Sequence, residues 1–536
     1  MILAVALSLV SAAFTLWRNS EIGVLVDISY IVNTATRIAA GDVPYAQFPL
    51  AQAPLEFLVQ ALLIKIGGPH FAVQIMYATI LGGLGTALTF VIAHRLLRDA
   101  VASPDVVAAV LCLPLVPLGV YAVYPHPFYD ADACVLVLGV LATTLFALDR
   151  PTRARWVIAG VLLVVPAFMK QNIGGALAAA MLAALSVDAS TRPDQRRWFR
   201  WYVAGFIGAL VCALVVLQVV VGIEQYVRWT VGFALSARGV AAERFTEFAP
   251  PAVVAIVLAP LVRGSRPGAR AVALTAAGVA LLARTVIDRS VIFAPGFFPA
   301  VVVATVGLAI LRARREGATL ATLFPIVVAI TTLGVLQSQG LVGSSFAIFP
   351  LLVVALAALV RDVAWAVPSW PAFAPRLGMG LALALVLIGT VYTLSEARLF
   401  FIDVWASGPV QHSTYPSLAG LSARGPYLAD LDEILRWIDA HVPPDETIAF
   451  VPGEEPAFFA LARRPVLPSV YFFDVATPYS PQELARIADE RGLRWVFVKD
   501  RLQLTEAPPL TTAIAAALTE HATLVERIGA YRVYRR

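Results

Sequence analysis

A chain of 536 residues that is 59% hydrophobic and 14% charged falls well short of the roughly 25% charge of a soluble globular protein. The deficit is too large for one anchor, so much of the chain must be solvated by lipid. The 40 basic residues include only three lysines (Lys65, Lys170 and Lys499), and with 35 acids the net charge is +5. The arginines sit in short loops between apolar runs and form no basic aromatic surface, which argues against a nucleic-acid partner. Cys112, Cys134 and Cys212 all fall inside apolar runs. That placement excludes a disulfide framework or thiolate metal site in the polar tail.

An apolar run of about 20 residues spans the hydrocarbon core as a helix. Thirteen are expected in chain order: 1–17, 71–95, 103–123, 132–148, 155–169, 172–187, 201–221, 250–263, 270–285, 291–311, 319–336, 345–361 and 378–395. The first lacks a basic leader and reads as a retained span rather than a cleaved signal. Between the first two lies a long loop, residues 18–70. It holds helix-like pieces near 28–40 and 53–66, and the second is apolar but too short to cross, which places it in the interface. Residues 224–237 share that pattern.

Arginine clusters follow every second span: Arg95 and Arg98; Arg150, Arg153 and Arg155; Arg192, Arg196, Arg197 and Arg200; Arg263, Arg266 and Arg270; Arg312, Arg314 and Arg315; Arg361 and Arg376. With thirteen spans all of them share one side, which the positive-inside rule makes cytoplasmic. The N-terminus is then inside and the C-terminal end outside. From about Glu396 apolar runs shorten and charge rises. Helices are expected over 427–441 and 480–491, and strands over 447–451, 495–499 and 531–534. These make a small α/β domain, 396–536, behind a membrane region, 1–395. The domain shows no phosphate loop, metal triad or nucleophile elbow.

Chemistry is sought at the outer mouths. Asp27 follows Ile22–Val26 at the end of the first span. It is either an ordinary interfacial acid or a carboxylate with a job, since charge near lipid is costly. Asp130 and Asp132 lie in Tyr124-Pro125-His126-Pro127-Phe128-Tyr129-Asp130-Ala131-Asp132. They can bind a cation, pair with an arginine or complement a helix start. Lys170 lies in Met169-Lys170-Gln171-Asn172 between two spans. It suits an anionic head group, or it snorkels to the interface. Arg284, Asp288 and Arg289 can contact phosphate or pair locally.

The early outer Asp, Ala35 to Tyr45 with its Gly41-x-x-Pro44-Tyr45, Gln52-Ala53-Pro54-Leu55, Tyr129-Asp130 and Lys170-Gln171-Asn172 resemble the GT-C glycosyltransferases. Within these, the resemblance is to the protein O-mannosyltransferase and lipid A aminoarabinose transferase branch. It covers about 1–395 and is densest in the first 180 residues. It implies a GT-C-like membrane core in a bacterial cytoplasmic membrane. The implied activity is transfer of a sugar from a polyprenyl-phosphate carrier to an extracytoplasmic glycan, lipid or protein. Asp27 matches the family's essential acid, a general base or acceptor-orienting group, and Asp130 or Asp132 matches its second acid. Lys170, with Arg284 and Arg289, would hold the carrier phosphate, stabilising the charge that grows on it. Tyr45, His126, Tyr129, Gln171 and Asn172 would touch sugar or acceptor. No cofactor is implied with certainty, and a divalent cation is left open. Two departures stand out: Ile28 follows Asp27 where many relatives have a second acid, and Gly343-Ser344-Ser345 stands where many have a basic residue. The rival reading is a transporter or flippase. That function would place polar groups at mid-membrane in broken helices, whereas here the spans are almost wholly apolar between their mouths.

Overall fold

The computed structural model describes residues 2–19, 25–124, 126–233, 246, 248–249, 251–253, 297–337, 347–368, 371–394, 409–472, 478–500 and 508–536. The expected spans over 250–263 and 270–285 therefore lie almost wholly outside the described residues. The helices of the first half are α1 (Ile2–Asn19), α2 (Leu25–Ala39), α3 (Leu55–Gly67), α4 (Phe71–Leu97), α5 (Pro104–Cys112), α6 (Leu115–Leu118), α7 (Tyr129–Asp149), α8 (Arg153–Met169), α9 (Gln171–Thr191), α10 (Arg196–Val220) and α11 (Ile223–Val227). After the undescribed stretch come α12 (Phe297–Glu316), α13 (Leu320–Leu336), α14 (Phe349–Ala366) and α15 (Phe373–Leu394).

Six of the described helices are long and apolar enough to cross a bilayer, namely α4, α7, α9, α10, α14 and α15. Their outer surfaces show what solvates them. Along α10, Ile207, Val211, Val215 and Val219 are each more than half exposed. On α15, Leu383, Leu387 and Val391 repeat the pattern at the same four-residue step. Such stripes would be a liability in water and are satisfied by acyl chains. The chain is a multi-pass helical membrane protein.

One expected span is corrected. Residues 103–123 do not form a single helix. They break into α5 and the one-turn α6, then leave helical geometry by Gly119. Pro114 and Pro117 flank and interrupt the second piece, and each lacks the N–H that an uninterrupted helix needs. The chain then passes through Tyr121, which holds a left-handed φ of 62°.

The C-terminal part contains the hairpin β1 (Val410–His412) and β2 (Ser422–Arg424), then α16 (Tyr427–His441), β3 (Ile448–Val451), α17 (Ala457–Ala460), α18 (Pro481–Glu490), β4 (Trp495–Val498), α19 (Pro509–Thr519), β5 (Thr523–Ile528) and β6 (Tyr531–Arg535). Four strands form a mixed sheet in the order β3-β4-β6-β5, with β3 and β4 parallel and the other pairs antiparallel. β3 and β4 are buried throughout, as befits a parallel pair covered on both faces. α16 turns Leu428, Leu431, Ile434, Leu435 and Ile438 inward, at the spacing of one helical face.

These two parts of the chain share a hydrophobic core. Ile28, Val32 and Ala35 of α2, Ala61 and Ile64 of α3, and Phe71 and Ile75 of α4 pack with Leu418, Leu431, Phe450 and Phe459. The segment from α2 to α3 is thus clamped between the bundle and the C-terminal part of the chain, which fixes where its polar residues point.

Candidate functional site

Lys170 is placed by a break between two helices. α8 closes with the Lys170 N–H donating to the Pro166 carbonyl at 2.9 Å, and Lys170 itself is extended (φ −149°, ψ 114°) between α8 and α9. Gly174 lets the two helices meet at this corner, because a Cβ there would lie 2.1 Å from the Ala167 nitrogen. The lysine is buried. Its ammonium pairs with Asp130 and lies 4.9 Å from the centre of the Tyr129 ring. In a dry setting such a pair is only as good as its geometry, and each partner depends on the other.

Asp130 and Asp132 both lie in the first turn of α7, where the helix dipole favours anions. They do not act together. Two residues along a helix is more than half a turn, so the carboxylates diverge. Asp130 faces Lys170, whereas Asp132 accepts from the hydroxyls of Tyr77 and Tyr121. Asp132 also lies within hydrogen-bonding reach of Glu56. Glu56 is fully buried on α3 and receives Gln60 Nε2 at 2.9 Å. The Tyr121 hydroxyl also receives the Phe128 N–H at 3.2 Å, tying the mouth of α7 to the preceding turn.

Asp27, half-buried in the first turn of α2, accepts from the Tyr124 hydroxyl. A ladder of rings carries this contact to the lysine. Tyr124 lies 4.3 Å from the His126 ring and 5.2 Å from Phe128, and Phe128 lies 4.2 Å from Tyr129. Tyr129 is the ring beneath Lys170. Asp27, Asp130 and Lys170 therefore border one continuous polar and aromatic patch. His126 is completely buried, with Nδ1 at 3.0 Å from the Pro127 carbonyl.

Gln171 ties the Pro-rich segment before α3 to this patch. Its Oε1 accepts from Ala53 N at 3.3 Å, and its Nε2 donates to the Ala51 carbonyl at 3.2 Å. Gln52 receives the Tyr45 hydroxyl on its carbonyl at 2.7 Å and the Tyr30 hydroxyl on its side chain at 2.5 Å. Asn172 points elsewhere and donates to the Gly334 carbonyl of α13 at 2.6 Å. Arg284, Asp288 and Arg289 lie outside the described residues. Among the described residues no three His, Cys, Asp or Glu side chains gather as metal ligands. The two acids spaced for a shared cation are engaged separately, Asp130 by Lys170 and Asp132 by Tyr77 and Tyr121.

Sequence reasoning missed Glu56, Tyr77, Tyr121 and Tyr124. Glu56 left a signal, since it is the lone acid in the apolar run of α3 and an acid at lipid depth needs a partner. The tyrosines left none, because an aromatic at an interface reads first as an anchor.

The C-terminal domain reaches this region through α2. The Asn33 amide donates to the Glu455 carbonyl at 2.7 Å and accepts from Phe459 N at 3.0 Å. Arg37 donates to the carbonyls of Leu467 and Pro468 at 2.8 and 2.9 Å and pairs with Asp42 at 2.6 Å. Behind this contact Lys499 is buried between Glu454 and Glu455. Burial alone would lower its pKa, but the two glutamates outweigh that and hold it above its ordinary value.

No family model matches the chain, and no curated protein matches it. Among solved structures it is similar to ArnT from Cupriavidus metallidurans bound to undecaprenyl phosphate. The identity is 15% and the TM-score 0.48, covering 100% of this chain and 97% of that one. It is also similar to the apo oligosaccharyltransferase of Archaeoglobus fulgidus, at 12% identity and TM-score 0.48, covering 93% of this chain and 69% of that one. The site geometry stands without these similarities.

Proposed function

We propose that this chain is a membrane glycosyltransferase with a GT-C-like core of about thirteen spans, residues 1–395, and an extracytoplasmic domain, 396–536. It moves a sugar from a polyprenyl-phosphate-linked donor to a glycan, lipid or protein acceptor outside the cytoplasmic membrane. The observation that carries the reading is the patch bordered by Asp27, Asp130 and Lys170. It offers a carboxylate for an acceptor and a cation for a phosphate, joined by aromatic faces that suit a sugar ring.

In this reading Asp27 takes the proton of the acceptor hydroxyl or amine, or aligns it, as that atom attacks the anomeric carbon. The bond from the anomeric carbon to the phosphate oxygen breaks, and its electron pair leaves with the phosphate. Lys170 stabilises the growing charge. Asp130 holds the ammonium in place and balances it before donor binds. Arg284 and Arg289 are further candidates for phosphate contacts. Tyr45 and Gln171 shape the loop wall, and Tyr129 and His126 border the sugar. Asp132 serves the Glu56–Tyr77–Tyr121 cluster and positions the start of α7.

The test is transfer from a labelled polyprenyl-phosphate sugar by the purified full chain, with donor identity taken from the lipid-linked sugar that accumulates in a deletion strain. Asp27→Asn is expected to slow transfer roughly 10²–10⁴-fold, the range of general acid–base catalysis, with unchanged expression and unfolding temperature. Transfer at the wild-type rate in Asp27→Asn would remove the proposed base.

A further inference from the structure

On the face of the bundle that carries the arginine clusters, the ends of five helices leave a cavity of about 420 Å³. It lies at the C-terminal ends of α4, α7, α12 and α14 and the N-terminal end of α13, far along those helices from the Asp27–Lys170 patch. Arg95, Arg312 and Arg361 line it, with Asp99 as its one acidic lining residue and Phe324 and Trp365 as apolar wall.

The carboxylates that orient these arginines stand behind the wall. Asp149 receives Arg95, with Nε at 2.6 Å, and also Arg98 at 3.1 Å. Asp362, completely buried, receives Arg312 at 2.9 Å and Arg361 at 2.8 Å. Each of these acids thus serves two guanidiniums. Glu316 takes the Nε of Arg312 at 2.8 Å, and Arg315 stacks over Trp365 at 5.6 Å. A guanidinium has five N–H donors in a rigid fork. Arg95 uses Nε and Nη2 on Asp149, Arg361 uses Nε and Nη2 on Asp362 and Nη1 on the Ala321 carbonyl at 2.9 Å, and Arg312 divides Nε and Nη1 between Glu316 and Asp362. Guanidiniums held this way aim their remaining N–H groups in fixed directions, which suits a phosphate. Complementing helix C-termini accounts for arginines at these positions. It does not account for three of them around an unfilled space with apolar walls.

We infer that this cavity is a second binding site, separate from the Asp27–Lys170 patch, and that it takes a phosphate-bearing anion held by Arg95, Arg312 and Arg361. The two sources of that chemistry are the head group of an anionic membrane lipid and free phosphate. Basic pockets between spans on this side of a membrane suit lipid head groups, and the apolar wall would receive the glycerol and first methylenes.

Native mass spectrometry on the full chain from mixed phosphatidylglycerol and phosphatidylcholine nanodiscs tests the inference, with inorganic phosphate alone as a second arm. Wild-type protein is expected to retain phosphatidylglycerol over phosphatidylcholine. Arg95→Gln should weaken that retention roughly tenfold, in line with loss of a charge-assisted hydrogen bond. Ala100→Trp fills the cavity while leaving every ion pair intact, so it should abolish retention without changing the unfolding temperature or the rate of sugar transfer. Inorganic phosphate that binds with the same sensitivity to both variants assigns the site to a free anion. Equal retention of the two lipids together with no phosphate binding, or retention unchanged in Ala100→Trp, overturns the inference.

Discussion

At Lys170 the charge that suits a donor phosphate is the same charge that Asp130 balances, and this gives the residue two separable contributions. Removing one member of a buried pair strands the other, at a cost on the order of 3–5 kcal/mol. Lys170→Ala is therefore expected to lower stability and to raise the KM for the lipid donor together. Lys170→Met combined with Asp130→Asn removes both charges, so the unfolding temperature should return toward wild type while donor use stays lost. Donor kinetics restored in the double variant would show that Lys170 only fastens α7 to the α8–α9 corner. Lys170 was legible in the sequence because a lysine between two spans is rare in a chain with three lysines. Its pairing with Asp130 was not, since partners 40 residues apart meet only once the helices have packed. The same reasoning separates Asp130 from Asp132. Adjacent in text, they were read as one possible cation site, and the helical turn between them sends each to its own partners.

Among the elements, α2 links the candidate base to the rest of the molecule. Its Tyr30, Asn33 and Arg37 share the face turned to the C-terminal domain, and Tyr30 meets Tyr471 edge-on at 5.9 Å. Asn33→Ala removes two buried hydrogen bonds, one to a carbonyl and one from an N–H that would be left unpaired. The expected cost is about 1–3 kcal/mol. Because the clamp lies two turns from Asp27, kcat should fall while the KM for donor stays near wild type. A fall in stability with kcat unchanged would make the clamp purely structural. Within the C-terminal domain the start of α18 is closed reciprocally by Ser480 and Glu483. The backbone and hydroxyl of Ser480 hold the Glu483 carboxylate below its ordinary pKa. A lowered acid contributes stability above its unfolded pKa, roughly 4.3, and loses it as pH falls through the folded value. Protection of the Glu483 and Leu484 amides, taken relative to the intrinsic exchange rate at each pH, should therefore fall on acidification below that range, and Glu483→Gln should flatten the dependence. Periodicity made α2, α16 and α18 legible. The α5–α6 break was not, because hydropathy averages over Pro114 and Pro117 while the backbone cannot. β5 escaped notice for the opposite reason, since it is an exposed edge strand with almost no inward residues.

For the molecule as a whole, composition alone compelled a membrane protein, and the exposed stripes on α10 and α15 give that conclusion its surface. Direction is a separate inference. It rests on arginine loops alternating with acidic and aromatic ones. The described helices still place Arg95, Arg312 and Arg361 at one end of the bundle and Asp27, Asp130 and Lys170 at the other. The positive-inside rule predicts the first group on the cytoplasmic side. Single cysteines introduced into a background lacking Cys112, Cys134 and Cys212 can decide the matter. Thr152, between α7 and α8, should be silent to a membrane-impermeant maleimide in intact spheroplasts and react after lysis. Ala522, before β5 of the C-terminal domain, should react in both. Labelling of Thr152→Cys before lysis would invert the orientation. It would also move the proposed transfer to the cytoplasmic side, where a different donor pool and acceptor would be required.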